Sequence, residues 1–205
     1  MGTFAKILPI AALGALLQSC YTPRPVPVAE RTASQADARV DFSDPVLNRR
    51  QILLFGKIDG RAAEQTVQKL LYLESKSHEP IDLYIQSPGD EKQDSLVIEH
   101  VFRMIKSPVN TWTLTGCNSG GAILLASGTG KRRTFRGAVI MLHGLTWRGN
   151  PPPEYTKPIQ DDYTQLWRRR ARLPDAWLPF PFGVIHILSA EQALEYGIVD
   201  EVIDR

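Results

Sequence analysis

The chain has 205 residues, of which 43% are hydrophobic and 22% are charged, and its formal net charge is +2. These values suit one sizeable globular domain with a short extension, and they exclude a highly charged disordered chain. The balanced charge gives no indication of a nucleic-acid partner. The short basic cluster Arg168–Arg170 is typical of a solvated helix face.

The first twenty residues predict export from the cytoplasm. Lys6 is followed by the apolar run Ile7–Leu17, which is too short to span a bilayer as a stable helix but fits the core of a secretory signal. The following "LQSC" resembles a bacterial lipobox, in which cleavage precedes a cysteine that then carries lipid. We therefore predict a lipoprotein signal peptide over residues 1–19 and lipidation at Cys20.

The residues after this cysteine predict a tether and a location. Residues 20–44 are rich in proline and alanine and bury too little apolar surface to order themselves, so we predict a disordered tether there and a folded domain over 45–205. Several acyl chains on Cys20 anchor the protein firmly to a bacterial membrane. Because Tyr21 and not aspartate follows, we expect the periplasmic side of the outer membrane in a Gram-negative host.

Strand and helix signals alternate from Arg49 to His143. Apolar alternation predicts strands over "RRQILLFGKI", "IDLYIQS", "VNTWTLTG" and "AVIMLHG". Helical spacing predicts helices over "RAAEQTVQKLLYLESK", "QDSLVIEHVFRMIKS" and "GGAILLASG". This rhythm predicts an α/β architecture with parallel strands. Neither a P-loop nor a G-x-G-x-x-G turn follows a strand, which argues against a nucleotide fold.

The pattern changes after His143. The stretch Asn150–Pro158, with three consecutive prolines, predicts irregular structure, and "IQDDYTQLWRRRARL" predicts a helix that ends before Pro174. Near the end of the chain, Ser189 as N-cap and Gly197 as C-terminal stop bound a short helix, which leads into the strand "IVDEVI". Cys117 has no partner cysteine in the domain and is expected to be buried.

Ser119 stands between a strand signal and a helix signal, among small residues in "TGCNSGGAILLASG". One interpretation is an N-cap for the helix. The other is a nucleophile, which requires a base for its proton and backbone amides for the oxyanion. His143 ends a strand expected beside that of Ser119, so the two side chains could meet. The hydrolase elbow G-x-S-x-G is not matched, because Cys117 replaces its first glycine.

Four motifs in the order "IDLYIQSPG", "SGGAILLASGTGKRRTF", "VIMLHG" and "LSAEQALEYGIVDEVI" resemble the proteolytic subunit of the Clp protease, within the wider Clp/crotonase fold. The resemblance runs from about Arg50 to Ile203. It implies an α/β superhelix of repeated strand-strand-helix units with parallel strands. It also implies Ser119 as nucleophile, His143 as general base, and the amides of Asp90 and Gly120 as the oxyanion hole. No cofactor and no metal are expected.

One departure from the family concerns its third catalytic residue, an acid four positions before the serine of "LSAEQA". Here that position is Ile185, which can neither orient an imidazole nor stabilise imidazolium. His186 adds no negative charge. Asp175 could substitute only if the proline-rich loop folds back.

Two further departures affect the oxyanion hole and the assembly. The family's "SPGG" is "SPGD" here, so the Asp90 carboxylate opposes a developing oxyanion, and a backbone geometry suited to glycine is expected to be strained. The segment between His143 and "LSA" is shorter than in the family and carries Pro151–Pro153. Because that segment is the handle that joins two heptameric rings, we expect a single ring or a smaller homo-oligomer.

Two functions remain open from the sequence. The first is a membrane-tethered, ATP-independent serine peptidase that acts on peptides or unfolded chains through Ser119 and His143, with no ATPase partner because export separates it from the cytoplasm. The second is a catalytically inactive scaffold lipoprotein of the same fold, in which Ser119 is a remnant. Acyl-CoA chemistry of the crotonase type is disfavoured, because export removes the coenzyme and that chemistry does not need this serine.

Overall fold

A computed structural model describes residues 39–90, 94–147, 149, 151–181 and 183–204. The signal peptide, Cys20 and most of the predicted tether lie outside these residues, so the boundaries at 19 and 44 stay predictions. Residues 39–205 form one compact unit, whose first helix, α1, spans Pro45–Asn48. Among the described residues, no helix combines the length and apolarity needed to cross a membrane.

The central layer is a five-stranded sheet. Its strands are β1 (Gln51–Phe55), β2 (Ile81–Gln86), β3 (Val109–Thr113), β5 (Arg132–Phe135) and β8 (Glu201–Ile203), in that spatial order and all parallel. The inward side chains of β2 and β3 alternate with half-buried ones, as a strand period of two requires. The predicted α/β fold with parallel strands is therefore confirmed.

A second, three-stranded sheet carries the candidate site. It contains β4 (Gly116–Asn118), β6 (Val139–His143) and β7 (Ile185–Ser189), with β4 and β6 parallel and β6 and β7 antiparallel. The sequence analysis did not predict β4, β5 or β7 as separate strands. β7 is also the exception to the otherwise parallel pairing.

The helices pack their apolar faces on these sheets. Asp59 caps α2 (Gly60–Lys76) by accepting from the amides of Arg61 and Ala62. The remaining helices of the first half are α3 (Asp94–Met104) and α4 (Gly120–Ser127), and α4 is buried along its whole length. A helix that is apolar on every side belongs in the interior, and its first residue directly follows Ser119.

The second half contains α5 (Pro153–Arg170), a 3₁₀ helix (Asp175–Trp177) and α6 (Ala190–Glu195). The prediction of irregular structure over Asn150–Pro158 was wrong from Pro153 onward. Proline is favoured at the first helical position because its missing N–H has no partner there, so Pro153 starts α5 and does not prevent it. The capping box of Ser189 and the positive φ of Gly197 confirm the predicted ends of α6.

Candidate active site

The carboxyl ends of three strands meet at Ser119. Asn118, the last residue of β4, donates its amide to the carbonyl of Ser87 just beyond β2 (2.9 Å). Ser119 donates its own amide to the carbonyl of Met141 in β6 (2.8 Å), two residues before His143. The predicted proximity of the strands that bear Ser119 and His143 is therefore confirmed.

Ser119 has a strained backbone, and its hydroxyl makes no hydrogen bond to the described residues. Its φ is 52° and its ψ is −122°, a conformation that residues other than glycine rarely adopt. It occupies the N-cap position of α4, yet its side chain makes no capping hydrogen bond. Ser119 is therefore the N-cap of α4 by position, as one interpretation predicted, but its hydroxyl does not cap the helix. Strain of this kind is found where a side chain must be presented to a substrate.

The position before Asp90 requires glycine, because residue 89 lies against Ser119. The φ of Gly89 is +109°, and a Cβ there would lie 2.6 Å from Ser119 Cβ and 3.2 Å from Ser119 Oγ. Any side chain at this position would therefore clash with Ser119 and strain the backbone. Gly89 belongs to the motif "IDLYIQSPG", whose pattern does not show this contact.

Three of the four predicted site residues line one cavity. Asp90, Ser119 and His143 share it with Tyr163, and the other lining residues are Ser95, Leu96, Ile123, Gly144, Leu145 and Thr146. Its volume is about 20 Å³, which is the space of about one water molecule.

The fourth predicted residue, Gly120, lies against the Asp90 carboxylate. A Cβ at Gly120 would be 2.7 Å from Asp90 Oδ1 and 2.7 Å from Ser95 Oγ, so only glycine fits. The other carboxylate oxygen, Asp90 Oδ2, accepts the amide of Ser95 in the first turn of α3 (2.7 Å). The carboxylate thus serves as a cap for α3, and its charge lies beside the Gly120 backbone.

The backbone at Asp90 is not strained. Among the described residues other than glycine, positive φ occurs only at Arg50 and Ser119. The expectation that a glycine geometry would strain Asp90 was therefore wrong. Moreover, the bridge between Ile58 and Asp90 uses the carbonyl of Gly89 as acceptor for the Ile58 amide (2.9 Å). That bond leaves the Asp90 amide uncommitted.

A backbone carbonyl contacts the Nδ1 atom of His143. Nδ1 lies 2.6 Å from the carbonyl oxygen of Gly144. Because a carbonyl oxygen only accepts, this contact places the ring proton on Nδ1 and leaves Nε2 as the proton acceptor. A base for the serine hydroxyl needs this tautomer.

Ile185 lies opposite His143, at the position where the resemblance implies a catalytic acid. Ile185 pairs with His143 across β6 and β7, and no carboxylate of the described residues pairs with this imidazole. The proline-rich loop does fold back, but Asp175 is exposed in its 3₁₀ helix, and the residue that reaches Gly144 is Phe180. His186 stacks on Trp177, with ring centroids 3.7 Å apart, and burial lowers its pKa.

Two further residues of the site were missed by sequence reasoning. The Tyr163 hydroxyl donates to the carbonyl of His143 (2.6 Å). The only signal in the sequence is the spacing of Tyr163, Leu166 and Trp167 on the buried face of α5. Ser95 Oγ is buried and has no hydrogen-bond partner among the described residues.

Cys117 is not among the residues that line this cavity. It is free and buried in β4, and burial raises its pKa to about 12. A thiol with so high a pKa remains protonated and inert at neutral pH. The expected role as a packed core residue is confirmed.

Comparison with known proteins agrees with the resemblance seen in the motifs. A family model described as Clp protease matches residues 34–149. The chain is also similar to the ATP-dependent Clp protease proteolytic subunit of Deinococcus radiodurans. The two are 29% identical over 189 residues, which cover 88% of this chain and 93% of that protein.

Proposed function

Since the chain belongs to the Clp protease family, we propose that it is a membrane-tethered, ATP-independent serine peptidase that uses a Ser119–His143 pair without the usual acid. Family membership supports a peptidase-type function. The single observation that carries the proposal is the shared cavity. Ser119, whose hydroxyl makes no capping bond, lines it together with His143, whose Nδ1 contact favours Nε2 as the proton acceptor.

The proposed reaction has two steps, acylation of Ser119 and hydrolysis of the acyl-serine. Ser119 Oγ attacks the peptide carbonyl carbon while its proton passes to His143 Nε2, and the amides of Asp90 and Gly120 receive the oxyanion. Collapse of this intermediate breaks the C–N bond, and the leaving amine takes the proton from Nε2. Water then attacks the acyl-serine with the same base, which releases the acid product and restores Ser119.

The electrostatics support a slow enzyme. The Gly144 carbonyl orients the imidazole but brings no full negative charge to stabilise imidazolium. The Asp90 carboxylate, beside Gly120, opposes charge on the oxyanion.

A fluorophosphonate probe tests the proposal, because it phosphonylates activated serines. We expect the full chain to be labelled slowly, Ser119→Ala to abolish labelling and His143→Ala to suppress it. Ser75→Ala, at an exposed serine on α2, is the matched control and should label like the wild type. Labelling that survives Ser119→Ala would refute the assignment of the nucleophile.

The second candidate is an inactive scaffold lipoprotein of the same fold, acting through protein contacts. Two observations favour it, namely Ile185 opposite His143 and the Asp90 carboxylate beside Gly120. A wild-type chain that stays unlabelled after long exposure to the probe would favour this candidate.

The tether and location belong to the same proposal. The lipobox-like sequence supports removal of residues 1–19, lipidation of Cys20 and attachment to the periplasmic side of the outer membrane in a Gram-negative host. In bacteria, the wild type should take up a palmitate analogue and sediment with membranes, whereas Cys20→Ala should do neither. A wild-type chain found wholly in the cytoplasm would refute it. ATP-independence follows from this location, since an exported enzyme is separated from ATP.

The assembly is proposed to be one ring or a smaller oligomer. Family members form oligomeric rings and act on protein substrates. In this chain the segment that corresponds to the handle holds α5, with Pro153 at its start and Pro158 inside it. These prolines change the segment on which ring stacking depends. Native mass measurement of the detergent-solubilised chain that shows stacked double rings would refute the proposal.

A further inference from the structure

The imidazole of His143 is held by the main chain on its Nδ1 side. Nδ1 lies 2.6 Å from the Gly144 carbonyl oxygen, and Gly144 is buried. A carbonyl of a freely rotating glycine could not fix a ring. Something must therefore hold the peptide units on both sides of Gly144.

Two contacts from the following segment hold these units. The Tyr163 hydroxyl donates to the carbonyl of His143 (2.6 Å), which fixes the plane of the 143–144 peptide. On the other side, a Cβ at Gly144 would lie 2.8 Å from the Phe180 carbonyl oxygen and 2.9 Å from Phe180 Cβ. Gly144 is therefore confined between the two, and the rings of Tyr163 and Phe180 also pack together, 5.9 Å apart.

The environment of Tyr163 keeps its hydroxyl protonated, so that it can donate a hydrogen bond. Only 2% of its surface is exposed, and Trp167 packs edge-on against its ring at 6.3 Å. Burial raises the pKa of Tyr163 far above its usual value, and the negative charge of Asp90 raises it further. The phenol is thus protonated at neutral pH and can donate its hydrogen bond to the His143 carbonyl.

We propose that Tyr163 is a positioning residue that, through the His143 and Gly144 carbonyls, fixes the Nδ1-protonated tautomer of His143 and takes over the orienting role of the missing acid. This inference rests on the proposed function for its catalytic meaning. The substitute is partial, because a carbonyl dipole orients the ring but does not neutralise imidazolium. It explains how Ser119 and His143 can remain a working pair opposite Ile185.

The first test measures the tautomer and needs no activity. Nitrogen-15 chemical shifts of the labelled full chain distinguish a proton on Nδ1 from one on Nε2, and His143→Gln identifies the signal among four histidines. We expect Nδ1–H in the wild type and in Tyr155→Phe, an exposed tyrosine on the same helix. We expect a mixture of tautomers in Tyr163→Phe. Nε2–H in the wild type, or an unchanged signal in Tyr163→Phe, overturns the inference.

The second test separates positioning from a purely structural role. We expect Tyr163→Phe to lower the rate of fluorophosphonate labelling by about tenfold, the usual effect of one lost hydrogen bond, and Tyr155→Phe to leave it unchanged. In an Ile185→Asp background, where a carboxylate can hold the ring instead, the loss should shrink to less than about twofold. Equal losses in both backgrounds would mean a structural role only and would overturn the inference.

The two tests keep the proposals apart. If the wild type is never labelled, the proposed peptidase function fails. The tautomer of wild-type His143 still decides whether the main chain orients its imidazole. If Tyr163→Phe does not fold, the wild-type tautomer alone decides: Nδ1–H supports the inference and Nε2–H refutes it.

Discussion

His143 and Ile185 are direct partners across the antiparallel pair β6 and β7, so their side chains lie on the same face of the sheet. Opposite residues in such a pair have Cβ atoms about 5 Å apart, close enough for a carboxylate at position 185 to reach the imidazole. The isoleucine there is 58% exposed. A carboxylate at position 185 would therefore face His143, whereas the wild-type chain has an aliphatic side chain there.

Ile185→Asp should therefore speed fluorophosphonate labelling of Ser119. A carboxylate stabilises the imidazolium that forms when His143 takes the serine proton. We expect a gain of at least about tenfold, below the roughly 10⁴-fold worth of the acid in an intact triad, since the Gly144 carbonyl already orients the ring. The position is exposed, so stability should change by no more than about 0.5 kcal/mol.

Ile187→Asp is the matched control for this substitution. Ile187 lies on the same strand and the same face, is 69% exposed, and pairs with Met141. The substituted aspartate adds the same charge but does not lie directly opposite His143. If both variants gain equally, the effect comes from general charge, and the local explanation fails.

Asp90→Asn should also speed labelling. The amide oxygen can still accept the Ser95 amide, so α3 keeps its cap, while the charge beside Gly120 is removed. We expect a gain of about tenfold, which corresponds to about 1.4 kcal/mol of relieved repulsion. The measurement is the labelling rate at constant ionic strength.

Asp90→Gly separates the effect of the Asp90 charge on labelling from the effect of its hydrogen bond to the Ser95 amide on stability. It should label as fast as Asp90→Asn but unfold more easily by about 1 kcal/mol, because the Ser95 amide loses its acceptor. Urea denaturation measures the difference. If only the glycine variant labels faster, side-chain volume against Gly120 and not charge limits the wild type.

The sequence predicted most of this fold because its signals are local. Apolar alternation in β2 and helical spacing in α2 each report burial within one element. Ser119 and His143 could be placed together because parallel strands align their carboxyl ends. β7 escaped prediction because three of its five residues are exposed, so it has no simple alternation of apolar and polar residues.

The part of the site that could not be predicted depends on distant packing. The contact between the Gly144 carbonyl and His143 is a main-chain geometry, and no side-chain pattern in the sequence reports which carbonyl faces the ring. Tyr163 reaches His143 only because α5 folds back over β6, twenty residues along the chain. The strain expected at Asp90 was wrong because its backbone has no positive φ, a property that sequence does not report.

Glu74 should make the fold sensitive to acid. Its carboxylate accepts the Ser107 hydroxyl (2.7 Å) and the amides of Ser107 (3.0 Å) and Lys106 (3.1 Å), which ties α2 to the turn before β3. Chiefly the Ser107 hydroxyl, helped by the backbone amides, lowers the pKa of Glu74 from 4.5 to about 2. A carboxylate with a lower pKa in the folded state stabilises the fold above pH 4.5, and this stabilisation is lost as the pH falls towards 2.

Glu74→Gln should consequently lower the melting temperature at pH 7 and flatten its decline between pH 5 and pH 2. Thermal unfolding followed by circular dichroism across this range measures both effects. Glu195→Gln, at an exposed carboxylate on α6, is the control and should retain the wild-type slope. If Glu74→Gln keeps the full acid sensitivity, another group causes it.

Combining Ile185→Asp with Asp90→Asn should decide between an enzyme and a scaffold. One change stabilises imidazolium and the other relieves repulsion of the oxyanion, so both act on the same transition state and their gains need not multiply. For a peptidase, the double variant should label faster than either single variant and should cleave an unfolded protein, with both activities lost on addition of Ser119→Ala. A double variant that remains inert, although folded by circular dichroism, would show that this cavity does not support the chemistry. The scaffold function would then be the better account of Ser119 and His143.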